Sequence, residues 1–206
     1  MLVTWKDPMI SRYSLAIRVL ALALSVVEVA SQSYTWSQLQ PASSPGARWR
    51  HAMAYDSARE QVVVFGGGAS GTWEWNGIDW ILRASSSGPG GRDFPAMAYD
   101  AARNRVVLFG GDDNSPGYLG DTWEWDGTSW LQLTPATSPP ARRRHAMVYD
   151  AARQRVILFG GDGSSQAILG DVWEWDGTTW AASFSPSYPP ARRSHAMTYD
   201  SSSQRV

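Results

Sequence analysis

Short apolar runs recur along the chain at intervals of about 50 residues, and three strand-like patterns return in the same order each time. The first pattern alternates small or apolar residues with larger ones, as in HAMVYD at 145–150. The second is apolar and β-branched, as in VILF at 156–159, which is typical of a strand buried on both faces. The third, VWEW at 172–175, alternates between two faces. These patterns predict three consecutive β-strands in each repeat.

A fourth strand is predicted after a tight turn in every repeat. Asp176-Gly177 is a strong hairpin signal immediately before TTWAA at 178–182. The repeat period is 50 residues twice and 44 residues once, because GGGASGT at 66–72 replaces the longer GGDDNSPGYLGDT at 110–122. Four antiparallel strands in each repeat, with a double glycine and spaced tryptophans, predict an all-β fold made of β-propeller blades.

The order of these motifs resembles the kelch repeat: a hydrophobic strand, Gly-Gly, a variable loop, Leu-x-Asp-x-Trp and a final Trp. VVLFGG at 106–111 and LGDTWEWDGTSW at 119–130 carry the two halves, and the resemblance extends over residues 34–206. Tryptophan–aspartate (WD) repeats match less well, because they lack the double glycine and expect a Gly-His pair that is absent here. The resemblance implies a propeller of four-stranded kelch blades.

The number of repeats predicts an incomplete propeller. Three blades are expected at about 51–83, 95–133 and 145–184, with a lone fourth strand at 34–39 and the start of a further blade at 195–206. Closed propellers need about 4 to 8 blades. We therefore interpret the chain as part of a longer propeller or, less readily, as a subunit that closes by association. Open strand edges recruit other strands, so self-association through the blade edges is expected.

Residues 1–31 differ in composition from the rest of the chain. Basic residues precede an apolar run, Val19–Val27, and small residues follow it. A bilayer takes about 20 apolar residues, so this run is too short for a stable membrane span. The order is typical of a signal peptide, with 32–206 as the mature chain, secreted or exported to the cell surface or periplasm. An amphipathic or buried N-terminal helix is the alternative.

Composition narrows the chemistry further. The chain has no cysteine, which excludes disulfides, thiolate metal sites and cysteine nucleophiles. The net charge is −1, and the arginine runs 142–144 and 192–193 form a basic loop patch without interleaved aromatics, so no nucleic-acid partner is expected. The kelch resemblance implies relatives that are copper radical oxidases, but their cofactor needs a cysteine-crosslinked tyrosine. No cofactor is expected.

Groups that could perform catalysis occupy repeated positions, which favours structural roles. His51, His145 and His195 share one position, where the second repeat has Pro95. No acidic or cysteine partner recurs beside them, so no metal site is predicted. A glutamate stands between two tryptophans in every repeat and is expected to pair with an arginine such as Arg103 or Arg153; these glutamates are Glu74, Glu124 and Glu174. No catalytic residue is assigned.

Two sets of residues follow from comparing the repeats. Structural roles are expected at the repeated glycines and tryptophans, namely Gly66, Gly67, Gly110, Gly111, Gly160, Gly161, Trp73, Trp80, Trp123, Trp130, Trp173 and Trp180. Binding is expected on the face formed by the variable loops and the connectors between blades, because loops on a rigid scaffold usually carry function. The candidate contacts are Asp112, Asp113, Tyr118, Gln166, Trp49 and Arg143.

The predicted function is an exported, non-catalytic module that binds a protein or a glycan through this face. The alternative, which the kelch resemblance implies, is a carbohydrate-active enzyme of the mutarotase type, with a pocket near the propeller axis where the three histidines lie. Plain drift of exposed loops also accounts for the variation.

Overall fold

The computed structural model describes residues 37–69, 71–84, 88–184, 187 and 189–206. The chain divides into two compact units, Met1–Leu39 and Gln40–Val206. The predicted signal peptide lies outside the described residues, as does the first half of the fourth strand predicted at 34–39; residues 37–39 have no regular secondary structure. The described residues contain no helix that is both long and apolar enough to span a membrane.

The described part of the second unit contains thirteen β-strands in three sheets. The first blade comprises β1 (His51–Asp56), β2 (Gln61–Gly66), β3 (Thr72–Trp75) and β4 (Trp80–Ala84). The second comprises β5 (Ala96–Asp100), β6 (Arg105–Gly111), β7 (Leu119–Trp125) and β8 (Trp130–Leu133). The third comprises β9 (Arg142–Arg143), β10 (Ala146–Asp150), β11 (Arg155–Gly163), β12 (Ile168–Trp175) and β13 (Trp180–Ser183).

The four main strands of each blade form an antiparallel meander in which consecutive strands are neighbours, namely β1 to β4, β5 to β8 and β10 to β13. The register between the second and third strands is the same in all three blades, since the first tryptophan of the third strand lies opposite the same position: Val64↔Trp73, Leu108↔Trp123 and Leu158↔Trp173. The short strand β9 adds a connector to the end of β11. The prediction of an all-β fold built from four-stranded blades is confirmed.

The double glycine has a steric explanation at both of its positions. Gly110 has φ +62°, and a Cβ atom there would lie 2.6 Å from the carbonyl oxygen of Arg142, which belongs to the connector leading into the next blade. Gly111 has φ +109°, and its Cβ would lie 2.9 Å from the carbonyl oxygen of Asp93 in the connector of its own blade. Two connectors therefore cross the end of β6, and only glycine leaves room for both.

Tryptophans fill the space between neighbouring blades. Trp125 and Trp130 of the second blade pack with Val63 and Phe65 of the first in one buried cluster. The indole N–H of Trp130 donates to the Thr72 hydroxyl of the preceding blade at 2.7 Å. The third blade repeats this contact, because Trp180 donates to Thr122 at 3.0 Å. The second and third blades thus each pack on the preceding blade through tryptophans, one of which donates a hydrogen bond across the interface.

The turn between the first two strands is also repeated. The Asp100 carboxylate accepts hydrogen bonds from the backbone N–H of Ala102 and from the guanidinium of Arg103. Asp200 forms the same kind of turn and an isolated bridge with Arg205. Residues 195–199, at the expected start of a further blade, form no strand, and the bridge between Asp200 and Arg205 follows them.

The outer face of β1 differs from its counterparts in the next blades. Met53 and Tyr55 are about half exposed, with exposed fractions of 50% and 55%, whereas the equivalent Met97 and Tyr99 are buried against β1. Apolar side chains on an open sheet face favour association with another surface. Self-association of the chain stays a prediction.

Candidate functional site

A ladder of backbone hydrogen bonds runs from blade to blade through one repeated position. The residues at this position are Arg50, Phe94, Arg144 and Ser194, and all have left-handed φ values between 53° and 59°. The N–H of Phe94 donates to the Arg50 carbonyl at 2.8 Å, Arg144 donates to Phe94 at 3.3 Å, and Ser194 donates to Arg144 at 2.9 Å. Positive φ is uncommon outside glycine, so the ladder holds these residues in a conformation that they rarely adopt.

Three arginines of the connectors surround the ring of Phe94. The guanidinium carbon lies 4.7 Å from the ring centroid for Arg50, 4.5 Å for Arg144 and 5.6 Å for Arg143. Cations within about 6 Å of an aromatic face are attracted by the ring quadrupole. Phe94 therefore orders arginines that come from the connectors before the first and third blades.

Two further aromatic rings extend this arrangement outward. Arg50 also lies over Trp49, with 4.4 Å between the guanidinium carbon and the ring centroid, and Arg143 lies over Tyr118 at 4.5 Å. We call these residues the arginine–aromatic cluster: Trp49, Arg50, Phe94, Tyr118, Arg143 and Arg144. Trp49 is 65% exposed, so a flat aromatic surface faces solvent at its edge.

Aspartates pair with the arginines from below. The pairs and their nitrogen–oxygen distances are Arg50–Asp93 at 3.1 Å, Arg143–Asp112 at 2.5 Å, Arg144–Asp162 at 3.2 Å and Arg193–Asp162 at 3.0 Å. Asp112 and Asp162 occupy the same repeat position directly after the double glycine. In the first blade this position is Gly68, which has no carboxylate. Arg50, from the connector before this blade, pairs with Asp93 instead.

The two charges of these pairs are not equally exposed. The aspartate side chains are 10%, 12% and 1% exposed at Asp93, Asp112 and Asp162. Those of their partners Arg50, Arg143, Arg144 and Arg193 are 39%, 23%, 24% and 45% exposed, so the arginine is the more exposed member of every pair. The carboxylates lie beneath and the guanidinium groups lie outside. The surface that solvent reaches is therefore cationic and aromatic, although the aspartates beneath it balance most of the arginine charge.

The predicted binding residues divide into two groups. Asp112 and Tyr118 both contact Arg143, and Trp49 contacts Arg50, which shares the Phe94 ring with Arg143. Asp113 is exposed outside the cluster, where its carboxylate accepts hydrogen bonds from Ser115. Gln166 lies at the tip of the loop after β11, and its backbone N–H donates to Gly163 at 2.7 Å. No contact among the described residues brings Asp113 or Gln166 to the arginines.

The centre of the cluster was not among the residues predicted from the sequence. Arg50, Phe94 and Arg144 stand one or two residues before the first long strand of their blades, and Asp162, the partner of Arg144, lies near the end of β11. A signal was present: this position reads Arg, Phe, Arg and Ser in the four repeats, while the residues that follow it hardly change. Variation at one site inside a repeated motif marks it in the same way as variation of a loop.

The predicted basic loop patch is wrong for Arg142. This side chain is fully buried and donates to both carboxylate oxygens of Asp171 at 2.7 Å, and to the Gly160 carbonyl at 3.0 Å. Charge runs are usually solvated, but here consecutive residues point in different directions, as in any extended segment. Only Arg143 and Arg144 of this run contribute to the cluster.

The histidines have packing roles in the described residues. His145 is buried with its ring 5.7 Å from that of Phe109, and its Cε1 would lie 3.3 Å from a Cβ at Gly110. Burial, aided by the charge of Arg142, lowers the pKa of His145 to about 3, so it is neutral at pH 7. At the equivalent place, Pro95 packs on Gly66.

One cavity is lined by a single histidine of the three. A cavity of about 610 Å³ between the third blade and residues 195–206 contains His195, together with Arg192 and Glu174, but neither His51 nor His145. Within the described ranges, no group of three or more His, Asp or Glu side chains is placed to hold a metal ion.

The expected glutamate–arginine pairs are present in two blades. Glu174 binds Arg153 at 2.9 Å, and Glu74 binds Arg59 at 2.6 Å. Arg103 pairs with Asp100 at 2.7 Å instead of with Glu124. These contacts hold the turn side of each blade and are far along the strands from the arginine–aromatic cluster.

Antiparallel four-stranded blades that repeat one register, one double glycine and one aromatic layer define a β-propeller of repeated blades. The chain belongs to the kelch-repeat family: the model of the KLHDC2/KLHL20/DRC7 Kelch-repeats domain matches residues 72–204. No curated protein matches the chain.

The solved structure of YjhT has a similar fold, with a TM-score of 0.60 and 15% sequence identity. The match covers 75% of this chain and 55% of that chain, so the sequence spans about half the length of the solved protein. At this identity the similarity concerns the fold alone.

Proposed function

We propose that the chain is an exported, non-catalytic binding module whose arginine–aromatic cluster recognises acidic groups on a protein or a glycan. The observation that carries the proposal is the unequal burial within the ion pairs of the cluster, because each cluster arginine is more exposed than the aspartate that it binds. Arginine forks bind carboxylates through two parallel hydrogen bonds, and aromatic faces add contact area with little loss of side-chain entropy.

Preorganisation supports binding at this place. The backbone ladder fixes Arg50, Phe94 and Arg144 before any ligand arrives, and buried aspartates orient the guanidinium groups. A ligand that meets ordered side chains does not have to supply the free energy of ordering them. The cluster is also assembled from connectors and one loop, which is where a rigid scaffold usually carries recognition.

Export is proposed from the leader alone. Its basic, apolar and small-residue order is typical of a signal peptide, and a module without cysteine is suited to either redox environment. The partner would then be a surface or extracellular protein or glycan.

The experiment is a binding screen on immobilised glycans and surface proteins, with acidic and neutral members of each class. Wild-type protein is compared with an Arg50→Gln, Arg143→Gln double variant. The matched control is the Arg105→Gln, Arg155→Gln double variant, which removes the same charge. These arginines begin β6 and β11, at the ends of the strands away from the double glycines and the cluster. The proposal expects acidic ligands to be captured by the wild type and the control, and lost by the cluster variant. Equal capture by all three proteins would contradict it.

A further inference from the structure

In the second blade, a buried arginine and a tryptophan together hold one aspartate. Arg92 donates to the two carboxylate oxygens of Asp121 at 2.7 and 3.0 Å, and the indole N–H of Trp123 donates to the same carboxylate at 2.6 Å. The third blade repeats this three-donor clasp at 2.7 Å for every contact, with Arg142, Asp171 and Trp173. The clasp is therefore a repeated feature of the blade.

Two backbone carbonyls orient the guanidinium of each of these arginines, in addition to the aspartate. Arg92 donates through Nη1 to the Gly110 carbonyl at 3.0 Å and through Nε to the Gly90 carbonyl at 3.2 Å. In the third blade, the corresponding acceptors are Gly160 and Pro140, both at 3.0 Å. These bonds leave the outer N–H groups of the guanidinium fork directed at the carboxylate.

The first blade contains the same donors. Arg48 donates through Nη1 to the Gly66 carbonyl at 3.3 Å and through Nε to the Gly46 carbonyl at 3.4 Å, which are the equivalent acceptors. Trp73 lies opposite Val64, in the register that Trp123 has in the second blade. The guanidinium and the indole thus occupy the repeat positions that form the clasp.

The first blade lacks the carboxylate. The residue at the position of Asp121 and Asp171 is Gly71, in the loop that is six residues shorter than the others. No carboxylate among the described residues forms an ion pair with Arg48, whose remaining hydrogen-bond acceptors are backbone carbonyls. An arginine held by two carbonyls keeps its full charge and the donors of its fork.

We infer that Arg48 and Trp73, which we call the first-blade clasp, bind a carboxylate supplied by a ligand in the position that the other blades fill with their own aspartate. The side chains of Asp121 and Asp171 are 20% and 37% exposed, so this position is reached from solvent in both blades that contain it. The planar fork and the indole donor fit the two coplanar oxygens of a carboxylate. The inference uses no side chain of the arginine–aromatic cluster and does not rest on the proposed function.

Two carboxylates distinguish the source of the ligand. N-acetylglycine presents the carboxylate of a peptide C-terminus, and glucuronic acid presents that of a sugar acid. Their neutral counterparts are N-acetylglycinamide and glucose. Affinity is measured for the purified chain by ligand-observed NMR titration. The inference expects at least one acid to bind, and its neutral counterpart to bind about tenfold more weakly or not at all, since charge-assisted hydrogen bonds are lost. If neither acid binds, the inference is overturned.

Three variants locate the binding. Arg48→Gln removes the fork, and Arg48→Lys keeps the charge but offers no planar pair of donors, so both should weaken binding by about tenfold or more. Trp73→Phe removes only the indole donor and should weaken it by a few-fold. The NMR spectrum of each variant reports whether it is folded. Unchanged affinity in folded Arg48→Gln and Arg48→Lys proteins would overturn the inference.

A substitution in the second blade tests the same chemistry, because it should create a second carboxylate-binding site. Asp121→Gly reproduces the first-blade arrangement around Arg92 and Trp123. This variant should be destabilised, and the acid that binds the wild type should restore part of its thermal stability by occupying the second clasp. Its neutral counterpart should not. Absence of any rescue by a carboxylate that binds the wild-type chain would contradict the assignment of that binding to the clasp.

Discussion

The carboxylate of Glu74 in the first blade accepts a hydrogen bond at 3.0 Å from the indole N–H of Trp125 in the second blade. Glu74 is fully buried and also binds Arg59 and Arg83. Burial alone would raise its pKa, but these hydrogen bonds outweigh burial and lower the pKa below its ordinary value. Glu74 thus binds the turn that contains Arg59, strand β4 through Arg83, and the second blade through Trp125.

Trp125→Phe should destabilise the protein by about 2 kcal/mol, because it keeps most of the aromatic packing but removes a donor from a buried charge. The measurement is chemical denaturation at pH 7. Trp75→Phe is the matched control, since Trp75 occupies the equivalent position in the first blade and its indole makes no hydrogen bond to a described residue. Equal losses in the two variants would show that the Glu74 contact contributes nothing.

The stability of the protein should fall between pH 7 and pH 5.5 because of His145. Its pKa is about 3 in the folded protein and 6.5 when unfolded, so the unfolded state binds the proton first. The stabilising effect is complete above pH 6.5 and is lost as the pH falls below that value, by roughly 1 kcal/mol at pH 5.5. Burial lowers the pKa of His51 and His195 as well, in the same direction.

His145→Asn removes the titrating group while keeping a polar side chain. The variant should be less stable at pH 7, and its free energy of unfolding should change less than that of the wild type between pH 7 and 5.5. Parallel pH profiles of the two proteins would show that His145 is not held neutral by the fold.

Gly110→Ala should destabilise the second blade by roughly 1–3 kcal/mol or prevent its folding, since the new Cβ meets the Arg142 carbonyl at 2.6 Å and φ is +62°. Gly90→Ala is the control, because a Cβ there meets nothing within 4 Å. Thermal unfolding of the two variants measures the difference. A Gly110→Ala protein as stable as the Gly90→Ala protein would contradict the steric account of the double glycine.

Export predicts a mature N-terminus between about residues 29 and 35. Mass spectrometry of the secreted or cell-surface fraction measures it directly. The basic lead and the apolar run Val19–Val27 are the features that export machinery recognises. Soluble cytosolic protein that keeps Met1 or Met9 would show that residues 1–31 are not a signal peptide.

The blades could be predicted from the sequence because their signals are local and repeated. Strand pattern, Asp-Gly hairpin and double glycine each act over a few residues, and recurrence made them specific. Only one of the two reasons for the double glycine could be predicted from the sequence. A positive φ is a local property that glycine suggests, whereas the approach of the Arg142 carbonyl depends on how the next blade packs.

The candidate site was predicted less well, because it depends on contacts between distant segments. Tyr118 and Arg143 were recognised as variable, but their stacking joins a loop of the second blade to the connector of the third. Phe94 occupies the variable position of a repeated motif, and its contacts with arginines of two connectors were not predicted. Arg142 and Arg143 are neighbours in one charge run, yet one is buried beside Asp171 and the other faces the cluster.

The arginine–aromatic cluster makes a distinct prediction for Phe94. Phe94→Leu keeps an apolar side chain but removes the ring that orders Arg50 and Arg144, while leaving the number of charges unchanged. The most direct measurement is the affinity of wild type, Phe94→Leu and the Arg50→Gln, Arg143→Gln variant for an acidic ligand recovered in the screen, together with turnover of sugar substrates by a histidine variant.

The account predicts that affinity falls by about tenfold in the Phe94 variant and further in the double arginine variant, as expected when cation–π ordering and charge-assisted hydrogen bonds are lost. It also predicts that replacing His51 and His195 leaves binding intact and that no sugar is turned over by any of the proteins. Unchanged affinity in both cluster variants, or sugar turnover that the histidine substitutions abolish, would contradict it.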